Sequence, residues 1–273
     1  MRTVERMAPL QDEMIGIRRH LHTHPELGLE EYNTSKLVAS LLEGWGYKVT
    51  KGLGQTGVVG TLSHGTGGKS IGLRADFDAL PITEETGLPY ASRTPGLMHA
   101  CGHDIHTTTL LGVAAVLKAM APQIAGTVKL VFQPAEETIG GMQVMLDEGV
   151  LDNPQVDMAI GFHNRPDLAA GLFSYVRGPG LAAADTFEVT VHGISGHAAQ
   201  PHGAVDPIVA AASLITQLQT VVSREVNPMH PAVVTVGAIH GGIAANIIPD
   251  SVTFRGTVRT LHDPARDAAE AGI

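Results

Sequence analysis

The 273-residue sequence predicts an α/β fold in two domains, residues 1–178 and 179–273. Three observations carry that expectation. The chain is long enough for a sizeable core. Its composition, 44% hydrophobic and 16% charged with 32 glycines, fits a water-soluble protein rich in tight turns. Segments of helical period alternate with short β-rich runs, and the last third reads β-α-β-β. A formal net charge of -9 and a pI near 5.8 argue against nucleic acid or an anionic membrane as partner. The single cysteine excludes an intrachain disulfide and suits a reducing cytoplasm. The N-terminal segment is amphipathic, so neither a signal peptide nor a spanning segment is expected.

From about Val4 to His24, apolar groups at Leu10, Met14, Ile17 and Leu21 predict one amphipathic helix, ended by Pro25. His20, His22 and His24 fall where it runs out and are expected to be solvated. Asn33 or Thr34 is the expected cap of a second helix whose stripe is Leu37, Val38, Leu41, Leu42 and Trp45, closed by Gly44 and Gly46. Strands are predicted at Tyr47–Thr50, Gly57–Ser63 and Ser70–Ala75, between glycine-rich turns. The third runs into Asp76-Phe77-Asp78, where alternation points both carboxylates the same way. Thr107 to Met120 reads as a helix, Thr127 to Phe132 as a buried strand, Met142 to Gly149 as a helix, and Val156 to Phe162 as a strand.

Chemistry concentrates in His99-Ala100-Cys101-Gly102-His103-Asp104-Ile105-His106. These eight residues hold three histidines, an aspartate and the sole cysteine in a turn-forming context. Thiolate, imidazole and carboxylate are the donors that bind divalent transition metals, and one glycine between Cys101 and His103 can set both on one side of a turn. Downstream, Glu136 and Glu137 follow a strand end. Adjacent carboxylates are costly to hold together without a cation, although acids at a helix N-terminus explain them equally well locally. A further strand delivers His163, so three strand ends supply Cys/His, Glu/Glu and His.

These blocks, with Arg74-Ala75-Asp76-Phe77-Asp78-Ala79-Leu80-Pro81, Pro134-Ala135-Glu136-Glu137 and Gly161-Phe162-His163-Asn164, resemble the signatures of the M20 metallopeptidase family. The likeness is greatest to its aminoacylase-like branch, the N-acyl-amino-acid amidohydrolases, hippurate hydrolases and auxin-conjugate hydrolases. It implies a zinc-peptidase-like three-layer α/β/α catalytic domain with an inserted two-layer α+β lid that mediates homodimerisation. It also implies two divalent metal ions, manganese or zinc with cobalt or nickel as alternatives, and hydrolysis of N-acyl amino acids. Carried onto this chain, Cys101, His103, Glu137 and His163 are metal ligands, Glu136 is the general base, and Asp78 supports the ligands. Asp76 stands where other members place a ligating histidine and is not counted as a ligand.

In the second domain Asp185 to His192 alternates as a strand, with Phe187, Val189 and Val191 on one face. Pro207 to Arg224 reads as a helix capped by Asp206, and strands follow near Ala232–Ile239 and Ser251–Thr260. Taken alone, His197 is an ordinary loop histidine and Asn246 a turn residue. The family resemblance makes His197 the lid group that stabilises an oxyanion, usually across the dimer, and makes Asn246 and Arg259 holders of the substrate carboxylate. Against that family the chain stops early, just past Arg259; the resemblance implies that members continue into a C-terminal part carrying a further His ligand to the second metal. An inactive remnant that pairs through its lid and a mononuclear structural zinc site in a binding protein are the two alternatives. The latter is disfavoured by the adjacent glutamates.

Overall fold

The structure, a computed structural model, describes residues 3–138 and 140–273. The chain forms two compact units, Met1–Asp167 and Leu168–Ile273.

The first unit opens with α1 (Thr3–Met7), a 3-10 turn at Ala8–Leu10, and α2 (Gln11–Thr23). The expected single helix is thus broken by Pro9, which has no N–H to give and whose ring crowds the preceding turn. Helix α3 (Tyr32–Gly44) is capped by neither Asn33 nor Thr34, because both lie inside it. The Glu26 carboxylate instead accepts from the backbone N–H groups of Asn33 (3.1 Å) and Thr34 (2.8 Å). Five strands follow in the order β1 (Lys48–Leu53), β2 (Gly57–His64), β3 (Ser70–Asp76), β4 (Gly126–Gln133) and β5 (Met158–Gly161). Helix α4 (His103–Ala119) lies between β3 and β4 in sequence, and α5 (Gly141–Asp147) between β4 and β5.

The sheet order is β1-β2-β4-β3-β5. β1, β2 and β4 pair antiparallel, whereas β4, β3 and β5 run parallel. On one face Val38 and Leu42 of α3 and Leu111 and Ala114 of α4 pack against Val58, Leu130 and Phe132. On the other, Met145 of α5 and Val150 cover Val59 and Val131. That is a three-layer α/β/α unit. β5 forms one edge, and Met158, Ile160 and Phe162 are exposed there.

The second unit is a two-layer α+β sandwich. Strands β6 (Ala183–His192), β8 (Ala232–Gly241) and β10 (Ser251–Thr260) form an antiparallel sheet in the order β6-β10-β8. Helices α6 (Pro207–Thr220) and α7 (Asp263–Gly272) cover one face through Ala211, Leu218, Ala265 and Ala269. Asp206 caps α6 as expected, its side chain accepting from Ile208 and Val209 N–H. A short ladder joins β7 (Gly196–His197) to β9 (Ile247–Ile248). No helix among the described residues is long and apolar enough to cross a membrane.

Candidate metal centre

Because β3, β4 and β5 are parallel neighbours, their carboxyl ends lie side by side at one edge of the sheet. Groups that follow strands collect there in open α/β sheets. The chain just past β3 supplies Asp78, that past β4 supplies Glu136 and Glu137, and that past β5 supplies His163. The octet lies before and within the first turn of α4, which starts at His103 rather than at Thr107 as the sequence suggested. Gly102 precedes it with φ +98°. A Cβ there would sit 2.4 Å from Asn164 Oδ1, so only glycine lets the octet lie against the His163 loop.

His103 is fully buried. Its Nδ1 donates to the Asp78 carbonyl at 2.9 Å and lies 3.1 Å from Asp78 Oδ1. This leaves Nε2 facing the strand ends, 3.7 Å from Glu137 Oε1 and 3.9 Å from Glu136 Oε2. Asp78 Oδ2 accepts from the Glu137 backbone N–H at 2.9 Å, so one carboxylate orients both His103 and the Glu136–Glu137 turn. Cys101 Sγ lies 3.3 Å from His163 Nε2, and His163 Nδ1 donates to the Asn164 carbonyl at 2.8 Å. Each imidazole therefore spends Nδ1 on an oxygen and turns Nε2 toward the other donors, the tautomer that metal ligation needs.

The donor set fits divalent cations. His103 Nε2 and Glu137 Oε1 are buried without a hydrogen-bond partner among the described residues, an arrangement that is costly unless a further group completes it. Cys101, His103 and His163 form one cluster of converging ligand atoms, and His103, Glu136 and Glu137 form another. A cation held at 2.0–2.3 Å by two tetrahedral ligands sets them roughly 3.3–3.7 Å apart, close to the separations here. Electrostatics agree. Burial draws the His103 imidazole downward, but the Asp78 hydrogen bond, Cys101 and the charges of Asp76 and Asp78 outweigh it and push its pKa up to about 11. A site that holds a proton so firmly is strongly anionic and favours positive charge. Burial, then the neighbouring Glu137 charge, raise Glu136 above the ordinary carboxylate range.

Asp76 is fully buried; its Oδ2 lies 3.6 Å from His103 Nε2 and 2.7 Å from Arg74 Nη1, and with His103 and His106 it forms a third cluster of converging ligand atoms. His106 Nδ1 donates to Asp76 Oδ1 at 2.6 Å, while His106 Nε2 accepts from the Asn164 N–H at 3.1 Å. Burial raises Asp76, yet His106, His103 and Arg74 hold it down at about 2. Asp76 and His106 thereby anchor the backbone beside His163, a role the sequence reading had no signal for beyond the octet itself. His22 is also placed differently from expectation. It is buried, 2.8 Å from Asp104 Oδ2 and 3.2 Å from Glu84 Oε1, and so lies behind the octet rather than in solvent. His20 and His24 are exposed.

In the second unit His197 and Asn246, 49 positions apart, are brought together by the β7–β9 ladder, where the Ala198 N–H donates to the Asn246 carbonyl at 3.1 Å. His197 Nδ1 accepts from the Ala199 N–H at 3.1 Å, which leaves Nε2 as the protonated nitrogen of the neutral ring. Arg259 lies on β10 opposite Ala184 and Val233, with Nη1 donating to the Val258 carbonyl.

Residues 72–270 match the Peptidase family M20/M25/M40. The chain belongs to that family. An N-acetyl-L-cysteine deacetylase of Bacillus subtilis is 47% identical over 261 residues, covering 96% of this chain and 62% of the relative. The hippurate hydrolase of Campylobacter jejuni is 44% identical over 273 residues, 100% of this chain and 71% of its own length. An IAA-amino acid hydrolase ILR1-like 4 of Arabidopsis thaliana is 49% identical over 250 residues, 92% of this chain and 56% of that protein. Among solved structures, the Bacillus subtilis YXEP protein, described as a dinuclear metal binding peptidase from the M20 family, superposes with a TM-score of 0.78. It is 36% identical, with 97% of this chain and 70% of that one covered. The chain thus spans 56–71% of the length of these M20 relatives.

Proposed function

We propose that this protein hydrolyses the amide bond of N-acyl amino acids, giving a carboxylic acid and a free amino acid, with two divalent cations at the strand-end site. The observation that carries the reading is the convergence of Cys101, His103, Glu137 and His163 beside Glu136, with two of the ligand atoms buried and unpartnered. The names of three of these relatives, an N-acetyl-L-cysteine deacetylase, a hippurate hydrolase and an IAA-amino acid hydrolase, support the substrate class.

Cys101, His103, Glu137 and His163 would hold the metal, and its chemistry there would be Lewis acidity toward water and the scissile carbonyl. Glu136, next to the ligand Glu137 but itself 42% exposed at the side chain, faces both the site and solvent. It is the group that takes a proton from the attacking water at Oε2 and returns it to the leaving nitrogen. Its raised proton affinity suits a base that must also act as an acid. Asp78 keeps His103 and the glutamate turn in register through three contacts. His197, donor-ready at Nε2, would stabilise the oxyanion, with Asn246 and Arg259 holding the substrate carboxylate. Homodimerisation through the second unit and a cytoplasmic location complete the proposal. Manganese or zinc is the metal favoured for this mixed N/O/S set, ahead of cobalt or nickel.

The test is metal analysis of the reconstituted chain together with hippurate turnover. Two cations per chain and turnover abolished by chelation are expected, and no metal uptake overturns the reading. Glu136→Gln should keep the metal and lower kcat by about 10²–10⁴-fold. Near-normal turnover in that variant removes Glu136 from the role.

A further inference from the structure

We propose that Glu31 is a positioning residue for the Glu136–Glu137 turn, acting through the backbone of Ala135; the inference rests on the role just assigned to that turn. Three non-glycine residues among those described have left-handed backbones: Leu29 (φ 67°), Gln55 (φ 79°) and Ala135 (φ 49°). They are far apart in sequence and meet at one place. Glu31, wholly buried, accepts from the Ala135 N–H at 2.8 Å through Oε1 and from the Thr56 hydroxyl at 2.6 Å through Oε2. Gln55, beside Thr56, donates from Nε2 to the Leu29 carbonyl at 2.7 Å and to the Tyr32 hydroxyl at 3.1 Å. Glu31 thus lies at the centre of a knot joining the 28–32 loop, the 54–57 turn and the end of β4.

Backbone strain of this kind persists only where surrounding structure over-determines it, and it gathers at functional sites. The surroundings here are unusually close. A Cβ on Gly28 would lie 3.0 Å from Ala135 Cα, and one on Gly57 would lie 3.1 Å from Pro134 Cδ. On Gly141 it would lie 1.8 Å from the Pro134 carbonyl oxygen. Steric walls confine the turn, and the Glu31 carboxylate supplies the directed bond that selects its left-handed form. The consequence falls on the next two residues. With Ala135 left-handed, the chain leaves β4 sharply enough for the Glu137 N–H to reach Asp78 and for Glu136 and Glu137 both to approach His103. A right-handed or extended Ala135 would send both glutamates elsewhere. Another backbone bond of the turn, Gly141 N–H to the Ala135 carbonyl, is long at 3.4 Å.

The experiment compares wild type, Glu31→Gln, Glu31→Ala and the double variant Glu31→Ala/Ala135→Gly by amide hydrogen exchange of the metal-free chain and by cobalt(II) titration. Glutamine keeps an acceptor for the Ala135 N–H, so its exchange at 135–138 and its cobalt affinity should stay within about threefold of wild type. Alanine should speed exchange there at least tenfold, with other segments of the first unit unchanged, and should weaken cobalt binding by at least tenfold. Glycine at 135 adopts the left-handed form freely and should recover at least threefold of that affinity. If Glu31→Ala does not fold, Glu31→Asp, which withdraws the carboxylate by one methylene, takes its place in the comparison. Unchanged exchange and affinity on removal of the carboxylate overturn the inference, as does a loss spread evenly over the unit without rescue by glycine. If wild type takes up no cobalt, the functional reading falls, and the exchange data alone decide the role of Glu31.

Discussion

At the residue scale, the first turn of the octet holds a histidine with no chemistry assigned to it. His99 is buried, neither ring nitrogen has a hydrogen-bond partner among the described residues, and burial lowers its pKa to about 4. In an unfolded chain the same ring titrates near 6.5. Between those values the unfolded state binds the extra proton, so stability falls as pH drops from about 6.5 to about 4. His99→Leu should flatten the pH dependence of the unfolding free energy of the metal-free protein over that window. Identical slopes in wild type and variant would show that His99 is not the group responsible. His103 acts in the opposite sense, since its raised pKa stabilises the metal-free fold below about 6.5 and loses that effect as pH climbs toward 11. The two windows do not overlap, so each can be read separately. The acid limb of kcat/KM should lie above the ordinary glutamate range, because burial and Glu137 raise Glu136, and should vanish in Glu136→Gln.

At the scale of elements, the first unit shows how local signals mark a helix but not its cap. Asn33 and Thr34 are good capping residue types, and their position before an apolar stripe is what drew the expectation. The N–H groups of both are instead met by Glu26, which reaches back across the turn 27–31. A carboxylate seven or eight residues upstream leaves no periodic trace in the sequence. Glu26→Ala should therefore destabilise the first unit by about 1 kcal/mol, the usual cost of a lost cap. Asn33→Ala, which keeps its backbone N–H on Glu26, should cost less in the same denaturation measurement; the reverse order would contradict this capping arrangement. Where the cap was local, as at Asp206 before Pro207, the sequence reading and the structure agree. Pro9 shows the converse: one helix was expected from about Val4 onward although the apolar stripe begins only at Leu10, and the chain breaks at the proline.

For the molecule as a whole, the proposed site would link metal binding to folding of the first unit. The candidate ligand atoms of Cys101, His103, Glu137 and His163 come from three separate strand-end segments and converge only when β3, β4 and β5 are paired. A cation that binds this arrangement and not the unfolded chain stabilises it by about 2.7 kcal/mol at a hundredfold excess over Kd. Adding zinc or manganese to metal-free protein should raise its unfolding midpoint, and Cys101→Ala should remove most of that rise. An undiminished rise in Cys101→Ala would make the thiol a packing group. In the second unit, Arg259→Ala should impair turnover of acyl amino acids far more than that of uncharged acyl amides, since a guanidinium pairs with the free carboxylate only the former carry. Equal losses would exclude that pairing.

The sequence by itself determined the α/β fold class and the family, and it carries the donor types of the candidate site. Period, turn chemistry and contiguous motifs such as 99–106 and 134–137 are local properties, and local properties survive in a linear string. Tertiary structure alone decided which nitrogen of His103 and His163 faces the metal cluster, that His22 is buried against Asp104 and Glu84, and that Asp76 serves His106. It also brought Leu29, Gln55 and Ala135 together around Glu31. Except for the His163 Nδ1 bond to the neighbouring Asn164 carbonyl, each of these depends on a hydrogen bond between segments about 25 or more residues apart. Such bonds are set by the pairing of parallel strands and the packing of α4 against them, and they have no period for a sequence to display.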